Sequence, residues 1–492
     1  MTRSEVSSLV PSTNRYALAA LICLGLLLLL RLFGLANAGT DLFFDEAQYW
    51  SWSQALDFGY FSKPPVIAWL IAGFGTMCGD SEFCIRAASP VLYALAAGLN
   101  YLIGRALYDE RIGFWSAVVF ATLPGISFSA GLISTDVPLL FFWTLALLAW
   151  VKLQEGPSWS WALVLGVALG LGIMAKYAMV YFMLCAVVHM AVSERPRWML
   201  RDAKGLTILS LAALIVLPNI LWNIDNGWIT ISHTADNANW RGNLIKPLKM
   251  LEFIGSQFGV FGPILMATLI GVAYGAARKG ATETARTLLS FSLPIIALIT
   301  LQALLSRAHA NWAATAYPAA AILVTATLLK NDFKRLFATS LGLHAIVLLA
   351  ITAGAILAPG LNFPGRVDPF ARILGWRETA QSVRGALEAR SYGTILTEDR
   401  LVTAEMLYYL RGENVPLRSW RPADVPRDHF EFSRPFDGSA QDPVLLVSLR
   451  PNVRHVSDHF DRAEPLTSQK VAAGPKSVRT VYLTALSGYK GQ

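Results

Sequence analysis

The sequence predicts an all-α polytopic membrane domain followed by a soluble α/β domain, and three observations carry that prediction. Hydrophobic residues make up 54% of the 492-residue chain and charged residues only 15%, with a mean hydropathy of +0.46; soluble globular domains carry roughly 25% charged residues. The charges are also uneven, with 33 of them in the 134 positions 359–492 and 41 in the first 358. Finally, apolar runs long enough to cover a hydrocarbon core recur through the first part alone. The expected division is therefore a membrane domain over 1–358, carrying a long first outer loop at 37–85, and a soluble domain over 359–492. A net charge of +8 and a pI of about 9.3 do not point to nucleic acid, because the basic residues are dispersed in short loops.

The first apolar run, Tyr16 to Ala36, spans. It is too long for the core of a signal peptide, although Ala36-Asn37-Ala38 has the small residues of a cleavage site. Further runs fall near 86–106, 111–128, 137–153, 161–175, 177–192, 206–223, 253–277, 287–305, 313–329 and 336–358, which makes about 11 transmembrane helices. Basic residues alternate between the connecting segments. Arg3 and Arg15, Arg105 and Arg111, Arg195 to Lys204, Arg278 to Arg286, and Lys330 to Arg335 mark one side, and cytoplasmic loops are the ones enriched in Lys and Arg. The expectation is a multi-pass protein of a bacterial inner membrane with a cytoplasmic N-terminus and a periplasmic C-terminal domain. Cys23 and Cys185 lie inside apolar runs as packing residues. Cys78 and Cys84 stand in the first outer loop, where an oxidising periplasm permits a bridge that the spacing alone does not decide.

In the last 134 residues the pattern alternates between helix and strand. Trp376 to Ala389 has helical spacing, Thr394 to Thr397 reads as a strand, Val402 to Arg411 as a helix closed by Gly412, and Val444 to Leu449 and Val478 to Ala485 as further strands.

Chemistry concentrates in the first outer loop. Asp41-Leu42-Phe43-Phe44-Asp45-Glu46 places an acidic pair among aromatic residues beside the bilayer, where carboxylates are costly to desolvate unless paired or used. The same residues also read as a helix start, its dipole complemented by acids and followed by an interfacial belt of Tyr49, Trp50 and Trp52. Further on, Tyr60-Phe61-Ser62-Lys63-Pro64-Pro65 precedes an apolar run of about 12 residues, too short to span. Lys63 there reads either as a snorkelling cation or as a counter-ion for a lipid-linked phosphate.

An acidic pair in the first outer loop, a following Lys-Pro, a polytopic body and an outer C-terminal domain together resemble the GT-C glycosyltransferases. Within them the chain resembles glycosyltransferase family 39 and the aminoarabinose transferases, and the run FFDEAQYWSWSQALDFGYFSKPP at 43–65 is similar to the rhizobial lipopolysaccharide galacturonosyltransferases. The resemblance implies a membrane domain of GT-C type. It also implies transfer of a sugar from a polyprenyl-phosphate donor to a lipopolysaccharide or lipid A acceptor, with galacturonate favoured. By the same resemblance Asp45 is the principal catalytic carboxylate, Glu46 its companion, and Lys63 a phosphate ligand. The chemistry agrees, because a carboxylate can take the acceptor proton while cations stabilise the departing phosphate. No cofactor is then required, although a divalent metal stays open.

Other outer ends supply further candidates, each with a plainer reading. Asp136, after Ser134 and Thr135, reads as a helix start, while the resemblance implies a sugar or acceptor contact for it. Lys176, between two apolar runs, either snorkels or meets the prenyl phosphate, and Arg307 and His309 are phosphate or sugar ligands or interfacial anchors. Tyr60, Asn311, Trp240 and Arg241 are expected at the sugar or acceptor, where amides and indoles suit hydroxyls and C–H faces. For a uronate carboxylate, Arg307, Lys176 or Arg241 is the natural partner. The rival reading is a transporter or flippase of lipid-linked substrates. Against it, the ionisable groups fall at outer ends and no internal repeat is detectable.

Overall fold

The computed structural model describes residues 13–238, 245–364, 368–438 and 441–491. Its chain divides into two compact units. One comprises residues up to Gly34, Lys63–Ile67 and Arg86–Thr352; the other comprises Leu35–Ser62, Ala68–Ile85 and Ala353–Gln492. The loop 37–85, assigned to the membrane domain on sequence, thus groups mostly with the C-terminal segment.

The first unit is helical. Among the described residues seven helices are long and apolar enough to cross a membrane: Arg15–Ala36, Glu82–Leu107, Asp136–Glu155, Ala203–Asp225, Glu283–Leu305, Ala310–Lys330 and Lys334–Gly360. The remaining four of the expected runs are helical but shorter or broken. Trp159–Ala175 and Tyr177–Val192 are short apolar helices. Glu110–Thr122, capped by the Asp109 side chain on the Ile112 amide at 2.8 Å, stops before a second short helix, Pro124–Ser129.

The run 253–277 is corrected by the structure. It is not one straight span but two helices, Pro247–Phe261 and Pro263–Lys279, bent by 113°. Gly262 turns the corner at φ 94°, a left-handed conformation that favours glycine, and Pro263 cannot continue the preceding hydrogen-bond ladder. Counted as one crossing, the pair brings the total to eight. Elsewhere small residues set the packing: a Cβ at Gly170 would stand 2.8 Å from the Ile215 Cβ, so glycine lets the helix Trp159–Ala175 lie directly on Ala203–Asp225.

In the second unit a six-stranded sheet runs in the order β2-β1-β3-β6-β4, with β5 paired to β6. The strands are β1 (Thr394–Thr397), β2 (Leu417–Ser419), β3 (Val444–Ser448), β4 (Phe460–Pro465), β5 (Gln469–Ala472) and β6 (Val478–Tyr489). β2, β1 and β3 are parallel, while β6 is antiparallel to β3, β4 and β5. The core contains Leu396, Val444, Leu446, Trp420, Phe436 and Leu486. β1 lies between β2 and β3, so the chain leaves it to one side and returns on the other; the carboxyl ends of strands at such a reversal are where α/β sheets present their working residues. Arg400 begins the helix Arg400–Tyr409 directly after β1, held by Asp399, whose carboxylate accepts from the Leu401 amide at 2.8 Å.

Candidate active site

Asp45 and Glu46 open the helix Phe44–Ser53, so the helix-start reading is correct for their backbone. Their side chains part company. Glu46 is buried at 1% exposure, and its Oε2 accepts from the Phe43 amide at 2.9 Å, closing the first turn. Asp45 keeps 37% of its side chain exposed and pairs through Oδ1 with Nη2 of Arg400. The same guanidinium donates from Nε to Gln48 Oε1 at 2.5 Å and lies 5.0 Å over the Phe44 ring.

Other residues of this unit hold the loop in place. Asp41 is buried, and its Oδ2 accepts from the Trp376 amide at 2.7 Å, at the start of the helix Trp376–Ala389. Burial pushes the Asp41 carboxyl above its ordinary range, partly offset by that amide. Glu82 accepts from the Tyr409 hydroxyl at 2.6 Å and from Arg377 Nη2 at 2.8 Å, and Asp80 accepts from Trp50 Nε1 at 2.9 Å. Cys78 and Cys84 are disulfide-bonded, their Cα atoms 5.8 Å apart. Tyr60 is buried and stacked on Trp52 with ring centroids 4.6 Å apart. Its hydroxyl meets the Trp52 and Ala55 carbonyls and the Asp57 amide, each at 3.1 Å, and burial raises the phenol to about 12.

In the first unit the structure joins three residues that the sequence presents separately. Lys176 Nζ lies 2.6 Å from Asp136 Oδ1, and Asn311 Nδ2 donates to Asp136 Oδ2 at 2.6 Å. Asp136 is the first residue of its helix, whose N-cap Thr135 supplies no side-chain cap, and its carboxylate is engaged by this cluster. Arg307 and His309 are exposed in the short segment before the 3₁₀ turn Ala310–Ala316 that carries Asn311. His309 stacks edge-on against Trp312 at 5.4 Å. Its imidazole is lowered from the ordinary value by partial desolvation first, then by the charges of Arg307 and Lys176. Two cations, an imidazole and an amide therefore share one neighbourhood with the Asp136 carboxylate, an arrangement suited to an anion.

Lys63 is half-buried, with Pro64 and Pro65 buried behind it and the 13-residue helix Val66–Cys78 following. Trp240 and Arg241 lie outside the described residues. Among the described residues no three His, Cys, Asp or Glu side chains gather as a cation site. Arg400 is the functional candidate that sequence reasoning missed: it stands 355 positions from Asp45, and no spacing links them.

Residues 62–222 match the dolichyl-phosphate-mannose-protein mannosyltransferase family. The chain is 34% identical over 401 residues to the lipid A galacturonosyltransferase RgtD of Rhizobium johnstonii, covering 81% of this chain and 84% of that protein. It is 29% identical over 215 residues to the undecaprenyl phosphate-alpha-4-amino-4-deoxy-L-arabinose arabinosyl transferase of Pseudomonas paraeruginosa, covering 40% of this chain and 37% of that one. The apo structure of ArnT from Cupriavidus metallidurans shares the fold at a TM-score of 0.67 and 14% identity, over 95% of this chain and 98% of that chain. The structure of ArnT bound to undecaprenyl phosphate gives 0.62 at 14% identity, over 94% and 97%.

Fold and relatives define a multi-pass membrane glycosyltransferase of GT-C type with a small C-terminal sheet domain. The chain belongs to the family of polyprenyl-phosphate-sugar glycosyltransferases that includes the rhizobial lipopolysaccharide galacturonosyltransferases. That membership sets aside the transporter reading.

Proposed function

We propose that this protein transfers galacturonate from a polyprenyl-phosphate donor to lipid A or the lipopolysaccharide core, at the periplasmic face of the bacterial inner membrane. The observation that carries the reading is the 34% identity, across most of both chains, to a lipid A galacturonosyltransferase. The alternating basic loops support a cytoplasmic N-terminus and a periplasmic C-terminal segment.

In this reading Asp45 takes the proton of the acceptor hydroxyl as that oxygen bonds to the anomeric carbon. The bond from the anomeric carbon to the phosphate oxygen breaks, and its electron pair leaves with the polyprenyl phosphate. Lys63, Lys176, Arg307 and His309 offset the growing phosphate charge, which is worth most where water is scarce. Asp136 and Asn311 orient Lys176 and offer partners to sugar hydroxyls. Glu46 and Tyr60 fix the loop that presents Asp45, because the one closes its helix turn and the other ties Trp52, Ala55 and Asp57 together. Mass spectrometry of lipopolysaccharide from cells with and without the protein tests the proposal. A uronate mass increment that depends on the protein supports it, and identical lipid A and core masses contradict it.

A further inference from the structure

We propose that Arg400, contributed by the C-terminal α/β segment, is a positioning residue for the Asp45 carboxylate; this rests on the reading of Asp45 as the group that takes the acceptor proton. The guanidinium engages the helix Phe44–Ser53 in three ways, pairing with Asp45, donating to Gln48 and covering the Phe44 ring. Those partners occupy positions 44, 45 and 48, one turn of one helix face. A planar guanidinium with N–H groups on two edges can hold two acceptors at a fixed angle, which a lysine ammonium cannot do. Arg400 is itself placed by a rigid element, since β1 ends three residues earlier and Asp399 caps the helix it begins.

The contact is better explained by orientation than by stability. Both side chains are about a third exposed, and pairs that open to solvent add little to folding. The loop is already fixed by Asp41 on Trp376, Glu82 on Tyr409 and Asp80 on Trp50. What Arg400 adds is a choice among Asp45 rotamers: with Oδ1 held, Oδ2 is left to face a hydroxyl. Among the described residues the guanidinium's hydrogen bonds go to Asp45 and Gln48, and the Asp428 carboxylate is a further charge nearby. His429, buried beside Arg434 and Arg400, is held down to about 3 and so stays neutral, while Asp428 is occupied by the Phe430 and Glu431 amides.

The test uses the full chain reconstituted with donor and acceptor, each varied separately. Arg400→Ala is expected to lower kcat by between about tenfold and a hundredfold, the range of one charge-assisted contact, with both KM values within about threefold of wild type. Arg400→Lys is expected to fall between the two. Millimolar guanidinium should restore part of the Arg400→Ala turnover and none of that of Arg400→Ala combined with Asp45→Asn. A rescue by the missing group is a result that a purely structural role does not give. Unchanged kcat in folded Arg400→Ala, or a loss confined to KM for either substrate, overturns the proposal. Asp45→Asn alone separates the two levels: if it stays active, the reading of Asp45 fails; if it is dead while Arg400→Ala is normal, only the positioning role fails.

Discussion

Asp136 holds Lys176 through one carboxylate oxygen at 2.6 Å while its other oxygen receives Asn311, which makes this carboxylate the hinge of the polar cluster in the helical unit. Both members of the ion pair are mostly buried, with side chains 20% and 10% exposed. Removing one partner alone leaves the other short of a counter-charge. Asp136→Ala is therefore expected to destabilise the protein by about 3 kcal/mol, whereas Asp136→Asn combined with Lys176→Met should recover much of that loss. Thermal unfolding in detergent of the single and double variants measures this; a double variant less stable than Asp136→Ala contradicts the pairing.

Lys63→Ala is expected to weaken use of the donor more than that of the acceptor. A charge-assisted contact to phosphate contributes about 1.5 to 3 kcal/mol, so donor-dependent efficiency should fall roughly tenfold or more. If kinetics with each substrate varied in turn show no change in donor dependence, the phosphate role passes to Lys176, Arg307 and His309.

His309 is expected to make donor binding depend on pH. Its imidazole sits below the ordinary 6.5, so protonating it costs the free protein some stability as pH falls below that value. A bound phosphate offsets the charges of Arg307 and Lys176 and favours the protonated ring. Donor KM should therefore decrease as pH is lowered from neutrality through 6.5, and His309→Gln should flatten that dependence. Parallel KM profiles for wild type and variant would remove His309 from the phosphate site.

The Cys78–Cys84 bridge closes a loop of only six intervening steps. Constraining so short a loop is worth roughly 2 kcal/mol in the chain-entropy view. Reduction, or Cys78→Ser with Cys84→Ser, should lower the unfolding temperature by a few degrees, and an unchanged transition on reduction argues that the bridge adds nothing.

Much of the architecture was legible because burial imposes periodicity. The strand at Thr394–Thr397 and the helix at Trp376–Ala389 fall where their apolar spacing places them. β4 and β5 were not legible, since nearly every side chain along them is exposed and no alternation marks them. The bend at Gly262-Pro263 did have a signal, a glycine followed by proline inside an apolar run, which hydrophobicity alone overrode. Asp136, Lys176 and Asn311 each drew notice as polar groups at the ends of apolar runs, but their meeting across separations of 40 and 175 positions is a tertiary fact. Arg400 gave no such notice, because an arginine in a segment rich in charges is indistinguishable from its neighbours until the fold brings it to Asp45.

The most direct test of the account is turnover by Asp45→Asn in a reconstituted assay with polyprenyl-phosphate-linked galacturonate and lipid A. The amide keeps the shape of the side chain but cannot take the acceptor proton. The account predicts that transfer is abolished while the protein stays inserted and folded; near-normal turnover by the folded variant would contradict it.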